Sequence, residues 1–244
     1  MLAFVIALAQ PASAETAEEV IASARAANQV TSAIESLHLT IVSKSGQERV
    51  KDLELRSRRD GTTNKSYLKV TAPSAEAGTQ LLMIDHPDQA DEQLMYLPAV
   101  KRVNYISGSG KKNAFLGSDF TFEDLEIRQA ASTGWTLAED NADAWVLETT
   151  PTSESSYTKI RLFIQKATHL IAKVELYDAS GLKKLLEVKK TAVDNGITLP
   201  VETVMTDLVK GTHTRIEITA HQLNVGTDVL PDETFTKAYL ERGG

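Results

Sequence analysis

The side chains that could do acid–base or ligand chemistry are few in this chain and poorly spaced for it. There are five histidines, His38, His86, His169, His213 and His221. None stands at H-x-x-x-H or H-E-x-x-H spacing, which would set two imidazoles on one helix face against a metal. His213 and His221 alternate onto one face of an extended run, but their separation is roughly 26 Å along a strand, too far for one ion. They read as solvent-facing or hairpin histidines. Cysteine is absent. That removes a thiol nucleophile, a zinc–thiolate centre and a disulfide frame. No G-x-S-x-G occurs, and no nucleophile has a base in a recognisable context.

Two short runs imitate catalytic signatures. Gly108–Lys112, GSGKK, resembles a phosphate loop, but Tyr105 stands where the pattern needs its first glycine and Lys112 where it needs Ser or Thr. The run also follows a strand and opens no helix. It reads either as a flexible loop or as a mobile basic lip, with Lys111 and Lys112 meeting a membrane, a partner or a lipid headgroup. Asp119, Glu123 and Asp124 form an acidic cluster that could do acid–base work. They sit where a helix begins, though, and Thr121-x-x-Asp124 fits a capping box, so helix capping is the favoured reading. The aromatic residues are more suggestive. Tyr96, Tyr105, Phe115, Phe120 and Phe122 fall close together in a chain that is only 6% aromatic. Ordinary core packing would explain them. The functional alternative is the wall or mouth of an apolar cavity that holds an acyl chain, where each buried methylene contributes about 0.8 kcal/mol without any catalytic group. No cofactor is implied, and the expectation is a non-enzyme.

Composition narrows the field further. The chain has 244 residues, 42% of them hydrophobic, enough for one sizeable core. The net charge of −7, without a long basic stripe, argues against nucleic-acid binding. Residues 1–14, MLAFVIALAQPASA, carry an apolar run and a small-x-small end at Ala12–Ala14, and read as an export signal without the usual cationic start. With no Cys there to carry a lipid, the expected product is a soluble exported protein whose single domain is 15–244. No later run approaches the ~20 apolar residues of a membrane-spanning helix.

The elements that must position these groups are mostly strands. Glu15–Leu37 predicts a helix with Val20, Ile21, Ala24, Ala27, Ala33 and Ile34 at helical spacing. Short alternating runs follow, punctuated by turns at Gly46, Asp60–Gly61, Pro73, Pro87–Asp88 and Pro98. Leu37, Leu39 and Ile41 share one face of the first run, and Leu53 and Leu55 one face of the second. After the 107–119 loop and a short helix, strands resume, with hairpin turns at Asp178–Gly181 and Asp194–Gly196. In the last strand Thr214, Ile216, Ile218 and Ala220 share a face. The expected fold is mainly β (α+β): a strongly curved, half-open antiparallel sheet, an incomplete barrel, covered by a few helices.

The run MYLPAVKRVNYISGSGKKNAFLGSDFTFEDLE resembles the signature of the outer-membrane lipoprotein-sorting protein family, with its LolA/LolB-like periplasmic carrier fold. The later DASGLKKLLEV, NGITLPVETVMTDLVKGTHTRIEI and LPDETFTKAYLER are similar to it as well. The resemblance implies a half-open sheet closed by helices over an apolar cavity for acyl chains, and residence in a Gram-negative periplasm. It also implies an arginine beneath the helical lid, for which Arg56, Arg58 and Arg59 are all candidates. The expected function is a periplasmic lipid or lipoprotein carrier, monomeric and in transient membrane contact. Its partners would be lipid or lipoprotein acyl chains, an inner-membrane transporter and an outer-membrane acceptor. The alternative is a non-catalytic accessory module of a lipid exporter of the resistance–nodulation–division type.

Overall fold

The computed structural model describes residues 15–27, 30–86, 91–127 and 134–243. Residues 1–14, read above as an export signal, and the expected Pro87–Asp88 turn lie outside the described residues. Among the described residues, thirteen strands form one antiparallel sheet. In chain order they are β1 (Ser32–Val42), β2 (Glu48–Asp60), β3 (Thr63–Ala72), β4 (Gln80–Asp85), β5 (Glu92–Leu97), β6 (Arg102–Tyr105), β7 (Thr136–Asp140), β8 (Ala144–Thr149), β9 (Lys159–Gln165), β10 (Ile171–Asp178), β11 (Gly181–Asp194), β12 (Ile197–Asp207) and β13 (Thr212–Leu223).

The chain enters this sheet at its centre, where β1 pairs with β2 on one side and β13 on the other. Strands β2 to β6 step outward to one edge. The connection from Ile106 to Trp135 crosses to the opposite edge, and β7 to β13 step back to the centre. Strands β6 and β7 are the two edges and do not pair, so the sheet is curved and half-open. Its curvature is visible in the core: Leu39, Leu53 and Leu81 of one arm join Leu147, Leu162 and Leu176 of the other in a single buried cluster. Two arms of one sheet share a core only if the sheet bends around it.

Two segments cover the concave face. Helix α1 (Ala17–Ala27) buries Ala17, Val20 and Ile21 and packs Ala24 beside them, an i, i+3, i+4, i+7 stripe. Thr16 caps it reciprocally with Glu19, the Thr16 N–H donating to the carboxylate (2.7 Å) and the Glu19 N–H to the hydroxyl (3.2 Å). The crossover supplies a second cover through two short 3₁₀ turns and helix α2 (Phe122–Ile127). On the outer face, Tyr67, Leu82 and Leu94 of β3–β5 are roofed by Leu230, Phe235 and Leu240 of the C-terminal segment, which ends in helix α3 (Lys237–Glu241). Strand β4 is therefore apolar on both faces, Leu81 inward and Leu82 outward.

The helix expected over Glu15–Leu37 is shorter. It ends at Ala27, and Ala33, Ile34 and Leu37 belong to β1. From Ser32 the run SAIESLHLTIV suits a strand as well as a helix. Pairing with both β2 and β13 satisfies its backbone on two sides, which outweighs an Ala-rich helical stripe. The Asp194–Gly196 turn has the expected form: Asn195 (φ 49°) and Gly196 (φ 82°) take successive positive φ values, as a primed hairpin turn requires. Among the described residues, no helix is long and apolar enough to cross a membrane.

Candidate functional site

A cavity of about 430 Å³ opens beside the C-terminal half of α1, between the β2–β3 end of one arm and the β9–β10 end of the other. Its size falls within the roughly 300–1,000 Å³ of small-molecule sites. Ile21 and Ala24 form its roof, and Leu162, Ile164 and Ile171 its far wall. The near wall is Ser57 and Arg59 of β2 with Asn64 and Ser66 of β3. Local bonds hold the edges. The Arg59 N–H donates to the Thr31 carbonyl (2.8 Å) and its guanidinium to the Val30 carbonyl (3.2 Å). The Thr31 N–H donates to the Asn224 side chain (2.8 Å). On the other arm the His169 N–H closes the β9–β10 turn onto the Gln165 carbonyl (2.7 Å), and its ring lies 5.5 Å from that of Trp145.

The five aromatic residues singled out by the sequence do not line this cavity. Phe115, Phe120 and Phe122 are buried in the main core, with Phe115 and Phe122 packed edge to face at 5.7 Å. Tyr96 packs on the outer-face cluster. Tyr105, on edge strand β6, is 62% exposed, with the Lys237 ammonium 5.6 Å from its ring centroid. The 107–119 loop is folded into 3₁₀ turns and bridged to its own neighbourhood, the Lys111 ammonium meeting the Glu126 carboxylate at 2.7 Å while Lys112 stays exposed. Of the three lid-arginine candidates, Arg59 reaches under the segment that follows α1. Arg56 bonds Glu54 and Tyr239, and Arg58 bonds Leu230 and Asp232, all on the outer face.

The acidic cluster fastens the crossover to the sheet. Asp119 accepts from the hydroxyls of Thr212 and Thr214 on β13. Glu123 accepts from the Ser155 hydroxyl and the Ser156 N–H. Asp124 completes the capping box, accepting from the Thr121 N–H (2.7 Å) while its own N–H donates to the Thr121 hydroxyl (3.2 Å). It also takes the buried Lys184 ammonium of β11 at 2.7 Å. Each carboxylate is held by a different segment: Asp119 by β13, Glu123 by the β8–β9 loop and Asp124 by β11. Among the described residues no three His, Asp or Glu side chains converge as a metal site would need.

A family model whose members are described as uncharacterized proteins matches residues 62–242. The chain belongs to that family. No curated protein matches it. Three solved structures place the family member's fold. A DUF1329 family protein from Desulfovibrio piger is 23% identical, with a TM-score of 0.82 over 92% of this chain and 97% of its own. A domain from Vibrio parahaemolyticus, provisionally described as an outer membrane lipoprotein-sorting protein, is 27% identical, with a TM-score of 0.81 over 92% and 98%. A LolA superfamily protein from Nitrosomonas europaea is 21% identical, with a TM-score of 0.68 over 93% and 100%. The fold of this family member is LolA-like, as the crossover and C-terminal motifs led one to expect.

One cluster in this family member escaped the sequence reading and has a pH signature. Burial pushes the Asp85 carboxyl up to about 6, against the hydrogen bond from Asn64 (3.2 Å), with Asp91 and Glu126 adding negative potential. Burial also raises Glu126, against its ion pair with Lys111. A carboxyl whose folded pKa is raised takes its proton first in the folded state. These groups therefore cost stability at neutral pH, and the cost is relieved as pH falls through about 6 toward the unfolded value near 4. Asp85 is only half-buried, so solvent screening reduces the effect to about 1 kcal/mol. Asp85→Asn is expected to raise the melting temperature by roughly 2–4 °C at pH ~7.5 and to leave it unchanged near pH ~4. Equal melting of variant and wild type at both values would contradict the assignment.

Proposed function

We propose that this protein is a periplasmic carrier that holds an acyl chain of a lipid or lipoprotein in the cavity beside α1 and moves it toward the outer membrane. The observation that carries this reading is the cavity itself: about 430 Å³ inside a half-open sheet, roofed by a short helix and walled by Leu162, Ile164 and Ile171. The likeness to a domain provisionally assigned to lipoprotein sorting supports it. Binding would draw on apolar burial, about 0.8 kcal/mol per methylene, and would need no catalytic group. An inner-membrane transporter would deliver the cargo and an outer-membrane acceptor receive it. The exposed Lys112 turn would then be a docking point. One feature favours an accessory role in an envelope lipid exporter instead: Phe115, Phe120, Phe122 and Trp145 fill much of the concave face.

Delipidated protein is expected to take up a fluorescent fatty acid, and Ala24→Phe, which fills the roof, is expected to weaken uptake more than about tenfold with little change in melting. Protein that takes up none, and that carries no lipid by mass spectrometry when purified from its native envelope, would overturn the carrier reading. Transporter capture at full strength by Ala24→Phe would favour the accessory role.

A further inference from the structure

The concave face of the β2–β3 pair changes character along its length. In register, Leu53 lies opposite Val70, Leu55 opposite Leu68, Ser57 opposite Ser66, and Arg59 opposite Asn64. Side chains alternate across a strand, so these positions share one face. The aliphatic part of that face is already filled. Leu53, Leu68 and Val70 are buried in one cluster with Phe115, Phe120 and Phe122 of the crossover, and none of them lines the cavity. The cavity begins where the face turns polar, at Ser57, Arg59, Asn64 and Ser66. Its far wall is apolar, Leu162 and Ile164 of β9 with Ile171 of β10, and Ile21 and Ala24 close its roof.

Volume then decides how much lipid the cavity can hold. An apolar cavity of about 150 Å³ takes one benzene, about 25 Å³ per carbon, so this cavity of about 430 Å³ takes about 17 carbon-sized atoms. That is one acyl chain with a small head. At the same density two palmitoyl chains need about 800 Å³ and three need about 1,200 Å³. The aliphatic face that could have extended the cavity lies under the crossover phenylalanines instead. A second chain would stay in water, where each methylene forfeits the roughly fourfold gain in affinity that burial brings.

Resting on the carrier reading above, we propose that the cargo is a single-chain lipid of medium length: one acyl chain of roughly 10–14 carbons lies against Ile21, Leu162, Ile164 and Ile171, and the second or third chain of a larger lipid is excluded. The small head of the lipid takes the rest of the space, at the polar wall. There the Ser57 and Ser66 hydroxyls give an ester or a glycerol neutral hydrogen-bonding partners.

The test is displacement of a bound fluorescent fatty acid from delipidated protein by a series of monoacylglycerols, from monohexanoyl- to monopalmitoylglycerol, each below its solubility limit. Affinity is expected to rise roughly three- to fourfold per methylene up to a chain of about 10–14 carbons and to level off beyond it. Didecanoylglycerol is expected to bind within about fivefold of monodecanoylglycerol, where room for a second chain would give more than about a hundredfold. Ile171→Ala, which cuts about three carbons from the far wall, is expected to move the levelling point about three carbons longer, and Ala24→Leu, which adds about three to the roof, about three shorter. Leucine is a strong helix former, so Ala24→Leu keeps the test open if Ile171→Ala folds poorly. A rise that continues undiminished to monopalmitoylglycerol, or a levelling point that neither variant moves, would overturn the single-chain limit and leave the carrier standing. Didecanoylglycerol binding more than about a hundredfold tighter than monodecanoylglycerol would do the same. Binding of none of these lipids, the fluorescent fatty acid included, would overturn the carrier itself.

Discussion

Asp124→Ala is expected to lower the melting temperature by roughly 6–20 °C, because it breaks a buried ion pair at one partner and costs about 3–5 kcal/mol in a domain where each kcal/mol shifts melting by about 2–4 °C. Asp124 is 4% exposed and Lys184 2%. The carboxylate takes three donors: the Thr121 N–H (2.7 Å), the Tyr157 hydroxyl (2.5 Å) and the Lys184 ammonium (2.7 Å). Burial, with Asp124 beside it, pushes the Tyr157 hydroxyl far above the ordinary phenol range, so it stays a neutral donor at every working pH. Removing the carboxylate strands an ammonium in the core and also removes one half of the capping box of α2.

Lys184→Met is expected to cost less, since Asp124 keeps two of its donors. The double variant Asp124→Asn with Lys184→Met leaves no buried charge and keeps a capping oxygen, so it should recover most of the loss of Asp124→Ala. Circular-dichroism melting of the wild type, Asp124→Asn, Lys184→Met and the double variant closes the cycle and gives the coupling directly. If Asp124→Ala melted within about 2 °C of the wild type, the pair would not be what ties the crossover to β11.

This lock was half legible in the sequence. Thr121-x-x-Asp124 is a local pattern, and the capping box it predicts is present. Lys184 was readable in principle, because it alternates with Leu186 on the inward face of β11, and a lysine in such a row needs a buried partner. The strands were legible for the same reason: a period of two survives without knowledge of the partner strand. What failed was whatever depended on contact between distant segments. Ser57 and Leu162 meet in the cavity only because the two arms of the sheet curve toward each other. The polarity gradient from Leu53 to Arg59 is written along β2, but it acquires meaning only from its register with Val70 to Asn64. The aromatic residues drew notice by their density along the chain, yet alternation and the crossover send Tyr96 outward, Tyr105 to solvent and the three phenylalanines into the core.

Phe235→Ala is expected to cost about 3–5 kcal/mol, although the residue belongs neither to the cavity lining nor to the main core. The outer face of β3–β5 carries Tyr67, Leu82 and Leu94, and the C-terminal segment is their cover, with Leu230, Phe235 and Leu240 all buried. Arg58 is 9% exposed, and its guanidinium stands 5.4 Å from the Phe235 ring centroid. It also donates to the Leu230 carbonyl (3.1 Å) and bonds Asp60 and Asp232. Tyr239 adds an edge contact to Tyr67 at 5.2 Å. Truncating Phe235 therefore opens a void and uncovers one side of a buried guanidinium. Arg58→Met keeps the packing and loses the bonds, so about 1–3 kcal/mol is expected from it. A chain ending at Asp228 would leave Tyr67, Leu82 and Leu94 as an exposed apolar patch, and size-exclusion chromatography should show it self-associating more than the full chain does. Melting of Phe235→Ala within about 2 °C of the wild type would mean the segment lies on the sheet without stabilising it. The clasp also bears on the cavity, since Arg58 is flanked by Ser57 and Arg59, whose side chains face the other way into the lining. A strand pinned on its outer face by Leu230 and Phe235 presents its inner face in a fixed register, and the C-terminal segment thereby supports the site from the opposite face, through Arg58.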